Sequence, residues 1–196
     1  MSAALVLRAG SAFALALALA LSASVAAAPQ GVIDLDGRPV DPLTVPGAVR
    51  AHVLVFTTTD CPISNRYAPE IRRLAAAFAE RGVRFWVVYP VPGDTPERIR
   101  AHVSQFGLSL PVARDTRFEL VRRTGVTVTP EVAVIDAQGE MAYRGRVDDR
   151  YVDFGVDRPA PTTRDLDAAL ESLLAGRPIE PKTTRAVGCI LSDLLK

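Results

Sequence analysis

Cys61 stands in the stretch "FTTTDCPISNRYAPEIRRL", Phe56 to Leu74, between a short apolar run and a segment with helical spacing. A thiol in that place can be a nucleophile, a metal ligand, half of a disulfide or a small buried hydrophobe. At a strand-to-helix junction it meets the positive end of the helix dipole and backbone N–H groups without partners. Both lower a thiol's pKa and raise the fraction of reactive thiolate. Asp60 works against this, because a neighbouring carboxylate favours the protonated thiol, and Arg66 offsets part of that effect. The second cysteine, Cys189, follows Gly188 near the end of the chain. Two cysteines are too few for a disulfide scaffold and enough for one bridge or one redox pair.

Metal chemistry finds little support. His52 and His102 are the two histidines, and neither has a Cys, His or carboxylate partner at metal-ligand spacing. Both read as core or surface residues. There is no Cys-x-x-Cys-His, which excludes covalent haem. No metal and no cofactor is expected. The charged run "RGRVDDR", Arg144 to Arg150, offers Arg146 or Asp148 as residues near the site, and reads more simply as a solvated strand end.

Compartment decides which cysteine chemistry is open. Residues 1–28 carry one charge, Arg8, then the apolar run "AFALALALALSASV", then Ala26, Ala27 and Ala28 before "PQG". This is the layout of a secretory signal peptide, and it places the protein in the periplasm or outside the cell, where disulfides persist. Its removal leaves 22 basic against 22 acidic residues. A neutral chain without a basic stripe gives no electrostatic case for nucleic acid or a membrane surface. The expected organisation is a signal peptide over 1–28, one domain over 29–176 and a tail over 177–196 that carries Cys189.

The elements that must position Cys61 follow from periodicity. "VIDLDGRPVDPL" reads as a strand broken by a turn at Asp36-Gly37. His52 to Phe56 reads as a strand covered on both faces. Pro62 suits the first position of a helix whose buried face is Tyr67, Ile71, Leu74 and Phe78, with Gly82 as its end. Val83 to Tyr89 is the next strand, and Thr95-Pro96 opens a helix with Ile99, Val103 and Phe106 inward. "LPVARD" is a short strand, and Thr116 with Glu119 has capping-box spacing for a short helix closing on Gly125. "EVAVID" and "EMAYRGRV" form a hairpin. Thr162 and Asp165 make a second capping box before Leu166, Leu170, Leu173 and Leu174. The last twenty residues show no periodic core pattern. Strands alternating with helices imply an α/β domain with parallel pairs, because parallel neighbours need a crossover.

"VLVFTTTDCPIS…YAP", followed much later by "GVTVTPEVAVIDAQGE", resembles the thioredoxin superfamily, in particular its exported bacterial redoxin-type members. The resemblance runs from about Val32 to Leu174. It implies a thioredoxin-like fold, a central mixed sheet with helices on both faces and a strand-helix insertion. It makes Cys61 the attacking cysteine and Pro69 the proline inside the first long helix. Thr129-Pro130 becomes the cis-proline loop that receives the substrate backbone. A copper-delivery role, known in some exported relatives, would want two adjacent thiols and a histidine, and Met141 is the one methionine beyond Met1.

The departures from the family pattern matter as much. Three residues after Cys61, where thioredoxins carry a second cysteine, stands Ser64, giving Cys-Pro-x-Ser with Pro62. A mixed disulfide at Cys61 then has no neighbouring thiol to release it. Thr58 fits the threonine that peroxiredoxins carry three residues before their cysteine, whereas their proline seven residues before it is Leu54 here. "TTRAVGCIL" resembles the tail of some exported redoxin-like proteins, so Cys189 is the candidate resolving thiol. A Cys61–Cys189 bridge would close a loop of over one hundred residues, worth about 4–5 kcal/mol in the chain-entropy model.

The expected function is therefore exported thiol-disulfide exchange, with Cys61 and Cys189 catalytic, Thr58, Pro62 and Ser64 supporting, and Thr129 and Pro130 binding substrate. The alternatives are a thiol peroxidase, and a redox-inert binding module in which the two cysteines only staple the tail. Partners are protein thiols and disulfides, or peroxide, together with a redox partner that the sequence does not identify.

Overall fold

The computed structural model describes residues 31–191; the signal segment expected over 1–28 lies outside the described residues, as do residues 192–196. In chain order the elements are β1 (Val32–Ile33), β2 (Ala51–Phe56), α1 (Pro62–Ala79), β3 (Val83–Tyr89), α2 (Pro96–Phe106), β4 (Val112–Asp115) and α3 (Glu119–Thr124). They continue as β5 (Val128–Thr129), β6 (Glu131–Asp136), β7 (Met141–Gly145), β8 (Tyr151–Asp153), β9 (Val156–Asp157), α4 (Asp165–Leu174) and β10 (Cys189–Ile190).

Six strands form one mixed sheet in the order β1-β4-β3-β2-β6-β7. β2 lies inside it, parallel to β3 and antiparallel to β6, and all six of its residues are buried. That double coverage is why "AHVLVF" is apolar without alternation. Odd-numbered Val53 and Val55 face α1 and α4, meeting Ile71, Leu74, Phe78, Leu166 and Leu170. Even-numbered Leu54 and Phe56 face the opposite side, against Leu120 and Val121 of α3. The helices thus cover both faces of the sheet. Between β3 and β6 the chain runs through α2, β4, α3 and the two-residue β5, so that a strand of the main sheet and a second helix are inserted where one helix would suffice. This is the thioredoxin-like α/β fold with its insertion.

Helix ends differ from the sequence expectation in two places. Thr116 does not cap α3; the buried Asp115 carboxylate accepts the Glu119 and Val121 N–H groups instead. Thr162 does not cap α4, whose N-cap is Arg164, because its hydroxyl and N–H turn back to the Asp149 carboxylate. In both cases a carboxylate with more donors within reach outcompetes a lone hydroxyl. Thr95 does cap α2, accepting from the Arg98 N–H, and Gly107 closes that helix at φ 64°.

The segment after α4 is docked along the domain. The Arg144 N–H donates to the Lys182 carbonyl and the Thr184 N–H returns to the Arg144 carbonyl, at 3.0 and 3.1 Å. Thr184 presses on Gly145, where φ is 151° and a Cβ would lie 2.2 Å from the threonine hydroxyl. Further on, β10 pairs antiparallel with β5, and Leu191 is 1% exposed in the cluster beneath α3.

Candidate active site

Cys61 is the N-cap of α1, with Pro62 at the first helical position and the Asn65 N–H on its carbonyl at 3.0 Å. Its side chain is buried at 1% exposure. The tail brings Cys189 over it, so that the two sulfurs lie 2.7 Å apart with both cysteines unbonded. On its other side the protonated Cys61 thiol donates to the Thr129 carbonyl at 3.1 Å. The Thr129–Pro130 peptide is cis.

Burial raises the Cys61 pKa, but hydrogen bonds to the thiolate outweigh it and hold the thiol below its ordinary value. The donors are the Cys189 thiol, then the hydroxyl and N–H of Ser64, then the Thr129 side chain. Both hydroxyls are buried and have no hydrogen-bond partner among the described residues, so each is free to turn toward a thiolate at Cys61. Cys189 moves the other way, pushed up to about 12 by burial first and then by the Cys61 sulfur beside it. Of the two thiols, Cys61 is therefore the one that loses its proton first.

The remaining predicted residues take the following places. Pro62 starts α1. Pro69 lies within it, exposed. Thr58 contributes its carbonyl to the Cys61 N–H at 3.4 Å and lines a small cavity with Asp60, Arg98, Thr129 and Cys189. No hydrogen bond joins the Thr58 hydroxyl to Cys61. Asp60 does not face the thiol unopposed, since Arg98 binds it at 2.7 Å and lowers its pKa. The counter-charge is thus Arg98 rather than Arg66, which reaches Tyr151 and Asp157 instead.

The charged run of residues 144–150 is not a solvated strand end. Asp148 is buried and accepts from the Tyr67 hydroxyl at 2.5 Å, while Arg146 pairs with Asp165 at 2.8 Å. Both hold α1 and α4 to the sheet rather than entering the cysteine site. His52 bonds the Pro42 carbonyl, and His102 lies between Tyr89 and Asn65. Among the described residues no group of three or more His, Cys, Asp or Glu could hold a metal, and no helix is long and apolar enough to cross a membrane.

Sequence reasoning missed Glu131. It directly follows Pro130, is 4% exposed, and its carboxylate accepts from the Thr127 N–H at 2.8 Å and the Val128 N–H at 3.4 Å. Arg144 approaches it at 3.7 Å. Glu131 thereby fixes the backbone of β5 beside the cysteines. The signal was a carboxylate opening an otherwise apolar strand buried on both faces, a place where a charge persists only with partners.

Comparison with known proteins agrees with this fold. The family model described as Redoxin matches residues 23–159. The chain is 27% identical over 109 residues to the thiol-disulfide oxidoreductase ResA of Halalkalibacterium halodurans, covering 55% of this chain and 59% of that protein. It thus spans a little over half of that relative's length. Among solved structures it is similar to an uncharacterized conserved protein of Geobacillus kaustophilus, with TM-score 0.69, 26% identity and coverage of 82% of this chain and 86% of that one. It is also similar in fold to a secreted Mycobacterium tuberculosis disulfide oxidoreductase homologous to E. coli DsbE, with TM-score 0.50, 23% identity and coverage of 74% and 93%.

Proposed function

The chain belongs to the Redoxin family, and from that premise we propose that it is an exported thiol-disulfide oxidoreductase in which Cys61 is the nucleophile and Cys189 the resolving thiol. The approach of the two sulfurs to 2.7 Å at the start of α1 carries the proposal. The Cys61 thiolate attacks one sulfur of a substrate disulfide. A Cys61–substrate S–S bond forms, and the other substrate sulfur leaves as a thiolate that takes a proton from water.

Cys189 is held protonated before this step, in part by the Cys61 sulfur beside it. Once Cys61 is tied in the mixed disulfide it carries no charge, and that contribution vanishes. Cys189 can then lose its proton and attack the Cys61 sulfur, forming the Cys61–Cys189 bond and expelling the substrate thiolate. Two electrons pass from the protein to the substrate, and an external dithiol or reduced partner restores the protein. Ser64, standing where a resolving thiol would be, brings a buried, unpartnered hydroxyl that favours the thiolate form of Cys61 instead.

Protein thiols and disulfides are the proposed partners, and the periplasm or the cell exterior the proposed location. The signal pattern supports this, as does the secreted nature of the mycobacterial protein of similar fold. Disulfide exchange is favoured over peroxidase chemistry because Leu54 lies within the ladder between β3 and β6, where a proline would remove a backbone donor.

The test is Cys189→Ser challenged with a disulfide probe and, separately, with hydrogen peroxide. Exchange chemistry accumulates a mixed disulfide at Cys61, and Cys61→Ser forms none. Sulfenic acid at Cys61 with ready overoxidation identifies a peroxidase instead. A variant inert to both leaves the binding module.

A further inference from the structure

Cys189 stands fifteen positions beyond Leu174, the last residue of α4. A tail left free over that length would bring its cysteine to Cys61 as one position among many. The structure instead fastens the tail twice. The later fastening is the pairing of β10 with β5. The earlier one lies at Lys182 to Thr184, where the tail runs parallel to β7 with Thr183 opposite Arg144.

Side chains close the earlier fastening. Tyr143 is buried and donates its hydroxyl proton to the Arg146 carbonyl at 2.8 Å. Its oxygen is therefore the acceptor in the 2.6 Å contact with the Thr184 hydroxyl, which itself accepts from the Arg146 N–H at 3.1 Å. Gly145 makes this approach possible, since a Cβ there would lie 2.6 Å from the Thr184 carbonyl oxygen and 2.8 Å from its nitrogen. The two fastenings share one frame. The Arg144 backbone holds Lys182 and Thr184, while its side chain donates to the Gly125 carbonyl at 2.6 Å and approaches Glu131. Glu131 in turn binds the N–H groups of Thr127 and Val128, on which β10 rests. From Thr184 to Cys189 the chain advances only five positions.

We propose that Thr184 is a positioning residue for the resolving step: locked between Tyr143 and Arg146, it is the pivot that keeps Cys189 within reach of Cys61 while β10 is off β5. This rests on the exchange chemistry proposed above and names the residue that sets the effective concentration of its second thiol. Cys61 is 1% exposed with Cys189 over it, so a substrate sulfur reaches it only when β10 lifts, and β10 must return for resolution. The covalent step is unchanged: the Cys189 thiolate bonds to the Cys61 sulfur, and the partner's sulfur leaves with the electron pair. Loop closure weakens as the three-halves power of chain length, so a free chain of five residues rather than fifteen raises the effective concentration about fivefold.

The experiment equilibrates the full chain with reduced and oxidised glutathione, quenches with acid, and separates by mass the Cys61–glutathione mixed disulfide from the Cys61–Cys189 disulfide. The ratio of the second to the first, multiplied by the reduced glutathione concentration, is the effective concentration of Cys189. It compares two folded species, so a general loss of stability that leaves both folded does not move it. Thr184→Val removes the hydroxyl and is expected to lower the value about fivefold, whereas Thr184→Ser keeps the hydroxyl and should stay within about twofold of the unaltered protein. Gly145→Ala drives a methyl into the Thr184 backbone and should lower the value from the sheet side in the same way. An unchanged value in Thr184→Val or in Gly145→Ala would overturn the pivot. An equal fall in Thr184→Ser would overturn its assignment to the hydroxyl. Release of thionitrobenzoate from its mixed disulfide with cysteine reads the attack by Cys61 separately. No release from any of the proteins would overturn the exchange chemistry itself, and release without any Cys61–Cys189 disulfide would overturn Cys189 as the resolving thiol. Both results are distinct from failure of the pivot.

Discussion

Replacing Ser64 with alanine tests whether Cys61 owes its thiolate to the hydroxyl standing where a second cysteine would be. The Ser64 hydroxyl is buried without a hydrogen-bond partner among the described residues, and the group it would serve is the thiolate form of Cys61. A hydrogen bond to a charged group contributes about 1.5–3 kcal/mol, and sulfur, a weak acceptor, belongs at the lower end. About 1.5 kcal/mol corresponds to a rise of about one pKa unit in Cys61. Near neutral pH the thiolate fraction then falls up to about tenfold, while the more basic thiolate becomes about threefold more nucleophilic, for a Brønsted slope near 0.4–0.5. The net loss in attack rate is about three- to fourfold. Stability should hardly change or should rise slightly, because the protonated form loses only a buried hydroxyl with no oxygen or nitrogen partner. Ultraviolet thiolate absorbance against pH reads the pKa, in a Cys189→Ser background so that one thiol titrates, and thionitrobenzoate release reads the rate. An unchanged or lowered Cys61 pKa in Ser64→Ala would refute the assignment of Ser64 as a thiolate donor.

Tyr67→Phe should destabilise the fold by about 1–3 kcal/mol in urea unfolding, because it deprives the buried Asp148 carboxylate of its 2.5 Å donor; unchanged stability would show that Asp148 is satisfied without it. Asp149 is held at about 2: burial opposes this but is outweighed by the Thr162 hydroxyl, the Thr163 and Thr162 N–H groups and Arg158. A depressed folded pKa means that its contribution is full above the unfolded value of about 3.9 and is lost as pH falls from there toward 2. Asp149→Asn should therefore lower stability at neutral pH and flatten the acid limb of the stability curve between about pH 4 and 2, and a parallel acid limb would contradict it. The mature protein should begin between Ala27 and Pro29; N-terminal sequencing that finds Met1 on a cytoplasmic product would overturn the expectation of export.

The sheet and its main helices were legible because their signals are long. β2 and β3 are continuous apolar or β-branched runs, and α1 repeats Tyr67, Ile71, Leu74 and Phe78 at helical spacing, so burial on one face follows from the pattern alone. Local polar chemistry was less legible. Thr116 and Thr162 sit at capping-box spacing, yet the helix ends were decided by carboxylates, Asp115 in one case and Asp149 as the competitor for Thr162 in the other. Arg146 and Asp148 look like surface charge in sequence, and only the folded packing reveals Asp165 and Tyr67 as their partners. Glu131 was overlooked for the same reason, since its task is to bind backbone N–H groups that have no sequence signature.

The tail was the least legible part, and the reason is physical. A two-residue strand has no period to detect, and each contact that seats it is made by one residue against a surface assembled from elsewhere. Thr184 lies on Gly145, Gly188 on the Thr129 carbonyl, and Leu191 in the cluster beneath α3. None of these pairs is close in sequence. The presence of Ser64 gives this placement its meaning within the proposed chemistry. A resolving thiol on α1 would be fixed beside Cys61 whatever the substrate did. A resolving thiol on β10 reaches Cys61 only while the tail keeps its pairing with β5, Cys189 to Thr129 and Ile190 to Val128. Resolution of the mixed disulfide then depends both on how firmly the tail holds that edge and on how readily Cys189 loses its proton.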